Sequence, residues 1–180
     1  LYPEKKTLSI TVPWVEEIVS NGKKLWQVGI IATQATVMSD IYNDLYYRFW
    51  GEGSPDFHFV MAPKLVDMVE AWLDDKPAII LTIDDYLSRF PENVSTLILG
   101  CTHFSVYKDH FKNIFNGNII DPSYYSAKKF ATYIEKHSEI EKKLSKNSSV
   151  KFYTTWNTTT FNTIGSKIWW EEISSENILI

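Results

Sequence analysis

The stretch TLILGCTHFSVY, residues 96 to 107, places the only cysteine of a 180-residue chain directly behind a strongly apolar run, with Thr102 and His103 immediately after it. A thiol becomes a base or a nucleophile when its thiolate is favoured. A strand end feeding a helix favours it, because the first backbone N–H groups of the helix are free to face the sulfur and a nearby imidazole adds a second partner. Read alone, Cys101 is equally a small buried hydrophobe, and His103 a hydrogen-bonded structural residue. The position at a strand end is what makes the pair candidates for chemistry.

Two further strand ends carry polar groups. ATQAT brings Thr33 and Thr36, whose hydroxyls suit a carboxylate or an amino group but serve as well in strand or capping roles. MAPKLVDMVE brings Glu70, two turns into a helix, where a solvated carboxylate is the ordinary reading. His58 fits a strand face, and His110 and His137 lie among charges on helices. Metal-ligand spacing, a Gly-rich phosphate loop and a serine nucleophile elbow are all absent, so neither a metal nor a cofactor is expected.

Four short apolar runs read as buried strands: residues 25–33, 56–62, 95–101 and 117–121. Helical patterns lie between them. Ser39 is a candidate N-cap for a helix with Ile41, Leu45 and Phe49 on one stripe, stopped by GEGSPD; Leu65, Val69 and Trp72 share the same spacing. A helix from about Pro77 aligns Ile80, Ile83 and Leu87, and another aligns Phe104, Tyr107, Phe111 and Ile114, with Ser105 as its cap and Gly117 as its stop. Strands alternating with helices predict an α/β fold, a parallel sheet with helices on both faces. Beyond Asp121 the pattern predicts a helix with Ala127, Phe130, Ala131 and Ile134 inward, then a strand over 150–156, a short helix over 161–168 and a tail.

Composition is that of an ordinary folded domain, 44% apolar and 22% charged. A net charge of −4 leaves no basic excess to displace counterions from a phosphate backbone, so no nucleic-acid partner is expected. One cysteine cannot form an internal disulfide, and no run approaches the roughly 18 apolar residues of a membrane span. A cytoplasmic protein with no membrane partner is therefore expected.

Taken together these residues resemble the C-terminal two-thirds of glutamate racemases, in the aspartate/glutamate racemase superfamily. IIATQATVMSDIY resembles the family's T-x-x-T-x-x-S-x-x-Y element and places Thr33, Thr36, Ser39 and Tyr42. MAPKLVDMVE is similar to A-C-P-x-x-V-P-x-V-E, with Ala62 where many members have cysteine and Asp67 where they have proline. LILGCTHF matches L-I-L-G-C-T-H-Y nearly letter for letter, while IIDPSYYSA and FYTTWNTTTF resemble later elements. The resemblance implies an isomerase that interconverts L- and D-glutamate without cofactor, for peptidoglycan synthesis and cell shape. Cys101 would be one of two catalytic thiols, supported by His103 and Glu70, with Thr33, Thr36, Thr102 and His103 around a glutamate substrate. A homodimer stays open.

The family's Asp-Ser-Gly loop, Tyr-Gly element and Ala-Cys-Asn-Thr strand end with the other thiol do not occur in this chain. Residues 1–122 are then expected to form the second racemase domain, and residues 123–180 to return and complete the sheet of the missing N-terminal half. The start at Leu1 rather than methionine fits a partial chain, and a chain with one thiol is expected to be inactive as a racemase alone. The open alternatives are a degenerate domain that binds a small dicarboxylate or a partner without turnover, another superfamily member, and a cysteine hydrolase using Cys101 and His103. The last is disfavoured because positions two apart at a strand end seldom aim at each other.

Overall fold

The four apolar runs become four parallel strands: β1 (Gln27–Ala32), β2 (Asp56–Met61), β3 (Thr96–Leu99) and β4 (Asn118–Ile120), in the order β2-β1-β3-β4. The computed structural model describes residues 8–20, 25–50 and 55–179, and its chain divides into two units, Leu1–Lys136 and His137–Ile180. The sheet lies in the first unit.

Side chains alternate across the sheet with a period of two, and this sorts the core into two layers. Ile31, Val60, Leu97 and Leu99 point to one face, where α4 (Pro63–Glu70), α5 (Lys76–Leu87), the 3₁₀ turn Thr102–Tyr107 and α6 (Lys108–Ile114) cover them. Val28, Ile30, Ala32, Ile98 and Ile120 point to the other, against α1 (Val12–Ser20) and α3 (Ile41–Trp50). The short α2 (Gln34–Met38) joins β1 to α3. The connection from β1 moves outward to β2, and the one from β2 returns past β1 to β3. Right-handed crossovers running in opposite directions put their helices on opposite faces. That produces the two layers.

α7 (Pro122–Lys136) packs on α1, tied by Lys128 to Glu17 at 2.7 Å and Lys129 to Glu16 at 2.8 Å. The second unit contains α8 (Ser138–Glu141), β5 (Phe152–Thr154), α9 (Thr158–Trp169) and β6 (Ser175–Asn177), with β5 and β6 parallel. Asn157 caps α9 through the Thr160 N–H. Gly165 lies against Ile173, whose terminal Cδ1 would have to turn aside for a Cβ there. No described helix is long and apolar enough to cross a membrane.

Several expectations shift. Ser39 closes α2 instead of opening α3: its hydroxyl donates to Thr36 O at 2.7 Å, and Asp40, at φ 53°, separates the two helices. The inward stripe of α3 is Tyr42, Leu45 and Tyr46, so the aromatic residues displace Ile41 and Phe49 from the deepest positions. Residues 51–54 of the GEGSPD stop lie outside the described residues. In α5 the helix presents Ile79, Ile83 and Tyr86 to the core, and Ile80 is 40% exposed. Trp72 lies past the end of α4 at φ 50°. Ser105 does not cap α6; its hydroxyl is committed to Asp121. In α7, Ala127, Phe130 and Ala131 are exposed, because the face toward α1 is the one bearing Tyr125, Lys128 and Lys129.

Candidate active site

β1 and β3 are neighbours whose onward connections leave in opposite directions, and this opens a crevice beyond their carboxyl ends. A cavity of about 320 Å³ occupies it. Thr36, Ser39 and Tyr42 line the β1 side, and Gly100, Cys101 and Thr102 the β3 side. Asp121 and Ser123, at the start of α7, form a further part of the wall, as does Thr11 just ahead of α1. The volume lies at the lower end of the range for small-molecule sites.

Cys101 is half-buried at the N-cap position of the 3₁₀ turn, with extended backbone. Its Sγ lies 3.6 Å from His103 Nδ1, within hydrogen-bond reach of sulfur, and His103 Nε2 lies 3.4 Å from Glu70 Oε1. Thiol, imidazole and carboxylate thus form a connected series across two elements, the 3₁₀ turn and the end of α4. Burial pushes the Cys101 thiol up from its ordinary value; the backbone N–H groups of His103 and Phe104 pull it down, and the Glu70 charge pushes it up again. The net direction is upward, so the sulfur rests as a thiol and is a strong base when deprotonated. Across the cavity Tyr42 is 2% exposed and its hydroxyl is pushed up to about 12, by burial first and by the Cys101 charge second.

Of the residues singled out in the sequence, Cys101, Thr102 and Thr36 line the cavity. His103 and Glu70 stand behind the sulfur and reach it through the contacts above. Thr33 faces the helix: its Oγ1 accepts from the Thr36 N–H and lies 3.1 Å from Thr36 Oγ1, so it caps α2 and orients Thr36. The expectation that residues two apart would not aim at each other fails here. The tight 3₁₀ turn folds His103 back over Cys101. The other histidines are elsewhere: His58 Nε2 is 2.6 Å from Gln27 Oε1, His110 stacks edge-on to Tyr107, and His137 Nδ1 is 2.9 Å from Glu139. Among the described residues no group of three or more His, Cys, Asp or Glu is gathered as for a metal ion.

Asp121 was not singled out from the sequence, yet it is the most heavily bonded carboxylate of the site. Its Oδ1 accepts from Ser105 Oγ at 3.0 Å, Ser123 N at 3.1 Å and Ser123 Oγ at 2.6 Å, and its Oδ2 from Lys108 Nζ at 3.1 Å. The available signal was an aspartate between an apolar strand and a proline at helix position one, the pattern of a helix start.

No family model matches the chain. Glutamate racemase of Persephonella marina is 34% identical over 131 residues, covering 72% of this chain and 48% of the relative. That of Aquifex aeolicus is 32% identical over 124 residues, covering 68% and 47%. The chain is homologous to glutamate racemases. It spans about half the length of these racemases. The crystal structure of the Francisella tularensis glutamate racemase in complex with D-glutamate aligns with a TM-score of 0.74 at 26% identity, over 95% of this chain and 62% of that one. The Bacillus anthracis racemase RacE1 shares the fold, with a TM-score of 0.75 at 24% identity. The α/β fold is that of glutamate racemases across the aligned region.

Proposed function

We propose that this chain supplies one acid/base half of a cofactor-independent glutamate racemase. The observation that carries the reading is the series Cys101, His103, Glu70, whose sulfur lines the β1–β3 crevice, in a chain homologous to glutamate racemases. The Cys101 thiolate takes the α-proton from one face of glutamate: an S–H bond forms as Cα–H breaks, and the electron pair stays on the α-carbon, delocalised toward the carboxylate. Thr36 and Thr102 are suited to hold that carboxylate, with Thr33 fixing Thr36. A preorganised set of donors is what lowers the barrier, since the α-proton is far less acidic than a thiol. His103 and Glu70 set the protonation of the sulfur.

Inversion also requires a proton returned on the opposite face, and the chain has a single thiol. On this reading a further polypeptide segment supplies the second thiol, residues 123–180 complete its sheet, and these 180 residues alone do not racemise. The exposed Phe130 and Ala131 on α7 support the idea of a covering partner. The assembled enzyme would provide D-glutamate for peptidoglycan in the cytoplasm.

Incorporation of deuterium at the α-carbon of glutamate in heavy water tests this reading. One working thiol exchanges slowly from one face, whereas a domain that only binds a dicarboxylate gives binding without exchange. A second reading is favoured by one observation: the 3.6 Å approach of Cys101 Sγ and His103 Nδ1 is the geometry of a nucleophile and its base. The upward displacement of the thiol bears equally on both readings, since a hydrolase nucleophile and a racemase base are each the thiolate, so the reaction product decides between them. An acyl-enzyme burst with activated esters is the outcome that reading requires.

A further inference from the structure

The 3₁₀ turn that carries Cys101, Thr102 and His103 is six residues long, and runs beyond three or four are uncommon because their hydrogen-bond geometry is poor. Its N-cap side chain makes no capping bond. Something outside the turn must hold it. Side chains three apart eclipse in a 3₁₀ helix, which gives this turn three faces. Phe104 and Tyr107 form one and are buried in the core. His103 and Val106 form the second, and Val106 is exposed. The third runs Thr102, Ser105, Lys108. Thr102 and Ser105 line the cavity, and Ser105 and Lys108 both donate to Asp121, one to each carboxylate oxygen.

We propose that Asp121 is a positioning residue that clamps this turn, and through it holds the His103 ring beside the Cys101 sulfur. The clamp is well built for the task. The Asp121 side chain is 7% exposed, so its charge is not shared with bulk water, and Ser123 holds the same Oδ1 from α7 through both its hydroxyl and its N–H. One donor from the turn, one from the first residue of α6 and two from α7 therefore meet on one carboxylate. α7 is in turn anchored to the segment ahead of α1, where Ser126 Oγ donates to Ile10 O at 3.1 Å. Phe104 and Tyr107 fix the depth of the turn, while Ser105 and Lys108 fix its rotation about its own axis. Rotation is what sets the direction of the His103 ring. The inference deepens the racemase reading, in that it assigns a residue to the thiol that reading uses.

The test is the pH dependence of iodoacetamide alkylation of the single thiol in the full chain, in wild type, Ser105→Ala and Asp121→Ala. Cys101 is faced by His103, Glu70 and Tyr42, with Asp121 and its partner Lys108 at the same cavity; all five remain in Ser105→Ala, whereas Asp121→Ala also removes a charge and frees Lys108, both of which pull the inflection down. With the turn released, the sulfur loses the imidazole at 3.6 Å, a partner that favours the thiolate, while its burial persists. The inflection then moves to higher pH, and the rate on the rising limb falls about tenfold for each pKa unit of that movement. Ser105→Ala removes one hydroxyl and leaves the Lys108–Asp121 pair, so it decides the matter even where Asp121→Ala does not fold. An upward movement in Ser105→Ala supports the clamp. An unmoved inflection overturns it, as does a lower one with faster alkylation, which marks general opening of the fold. Alkylation involves no glutamate, so an upward movement in a chain that exchanges no α-proton would leave the clamp standing and sink the racemase reading.

Discussion

Across the crevice the Tyr42 hydroxyl lies against Gly100: a Cβ on residue 100 would stand 3.1 Å from that oxygen, 3.1 Å from Ile31 O and 2.9 Å from Ala32 Cβ. The glycine of the GCTH stretch is therefore required by contact between β1 and β3, directly before the residue that carries the thiol. Tyr42 is itself held by Trp14, with ring centroids 6.1 Å apart, and by Phe59 at 6.4 Å. The aromatic layer thus sets the cavity wall.

Gly100→Ala is expected to overpack this contact, because neither the Ile31 carbonyl nor the Ala32 methyl can rotate away. A destabilisation of about 1–3 kcal/mol follows, the range for excess volume in a packed core. Urea unfolding should show a lower midpoint with an unchanged slope. A midpoint equal to wild type would mean that β1 and β3 have room to separate.

Glu70→Gln removes a negative charge that pushes the thiol up. The alkylation inflection of Cys101 should accordingly move to lower pH, opposite in sign to the movement expected on releasing the turn. An upward movement in Glu70→Gln would mean that Glu70 acts on the sulfur mainly through His103.

The Asp121 carboxyl experiences an upward push from burial, but hydrogen bonds from Ser123, Lys108 and Ser105, with the Lys108 charge, bring it below the usual carboxylate range. A lowered folded-state pKa means that the unfolded chain binds more protons between the two values. The stabilisation is thus fully present above the ordinary carboxylate pKa, about 3.9, and is lost as pH falls through the lowered one. Lys108→Met should cost about 1–3 kcal/mol at pH 7, the range for a buried acceptor losing a charged donor. Its difference from wild type should shrink below about pH 4, as measured by urea unfolding at the two pH values. A difference independent of pH would point to lost packing by the lysine stem.

Thr33→Val keeps the side-chain shape and deletes the cap of α2. A loss of about 1 kcal/mol is expected, and, on the racemase proposal, a weaker hold on glutamate because Thr36 loses its partner at 3.1 Å. Unaltered glutamate affinity would separate Thr36 from the substrate.

The sheet was legible because its two central strands are buried on both faces and read as apolar runs, 28–32 and 96–99. Helix faces were legible only to within one position. In α5 the sets Ile79, Ile83, Tyr86 and Ile80, Ile83, Leu87 satisfy the same spacing, and the Asp75 cap that fixes the helix start selects the first. α2 is too short to show any period, so nothing in the sequence separates Ser39, its C-cap, from the start of α3. β6 has the sequence Ser-Glu-Asn and carries no apolar signal at all; it is held in part by Asn162 accepting from the Ser175 N–H. In the site, Cys101 stood out by its position, whereas Asp121 did not. Its role depends on Ser105 and Lys108, 16 and 13 residues earlier, which only the fold brings to it.

On the racemase proposal, one thiol works on one face of the glutamate α-carbon. The direct measurement is to incubate L- and D-glutamate separately with the chain in heavy water, and to read α-deuterium and handedness on the same samples. Exchange of one enantiomer with its configuration retained, abolished in Cys101→Ser, is the predicted result. Rapid interconversion of the two enantiomers by these 180 residues, or exchange that persists in Cys101→Ser, would contradict the account.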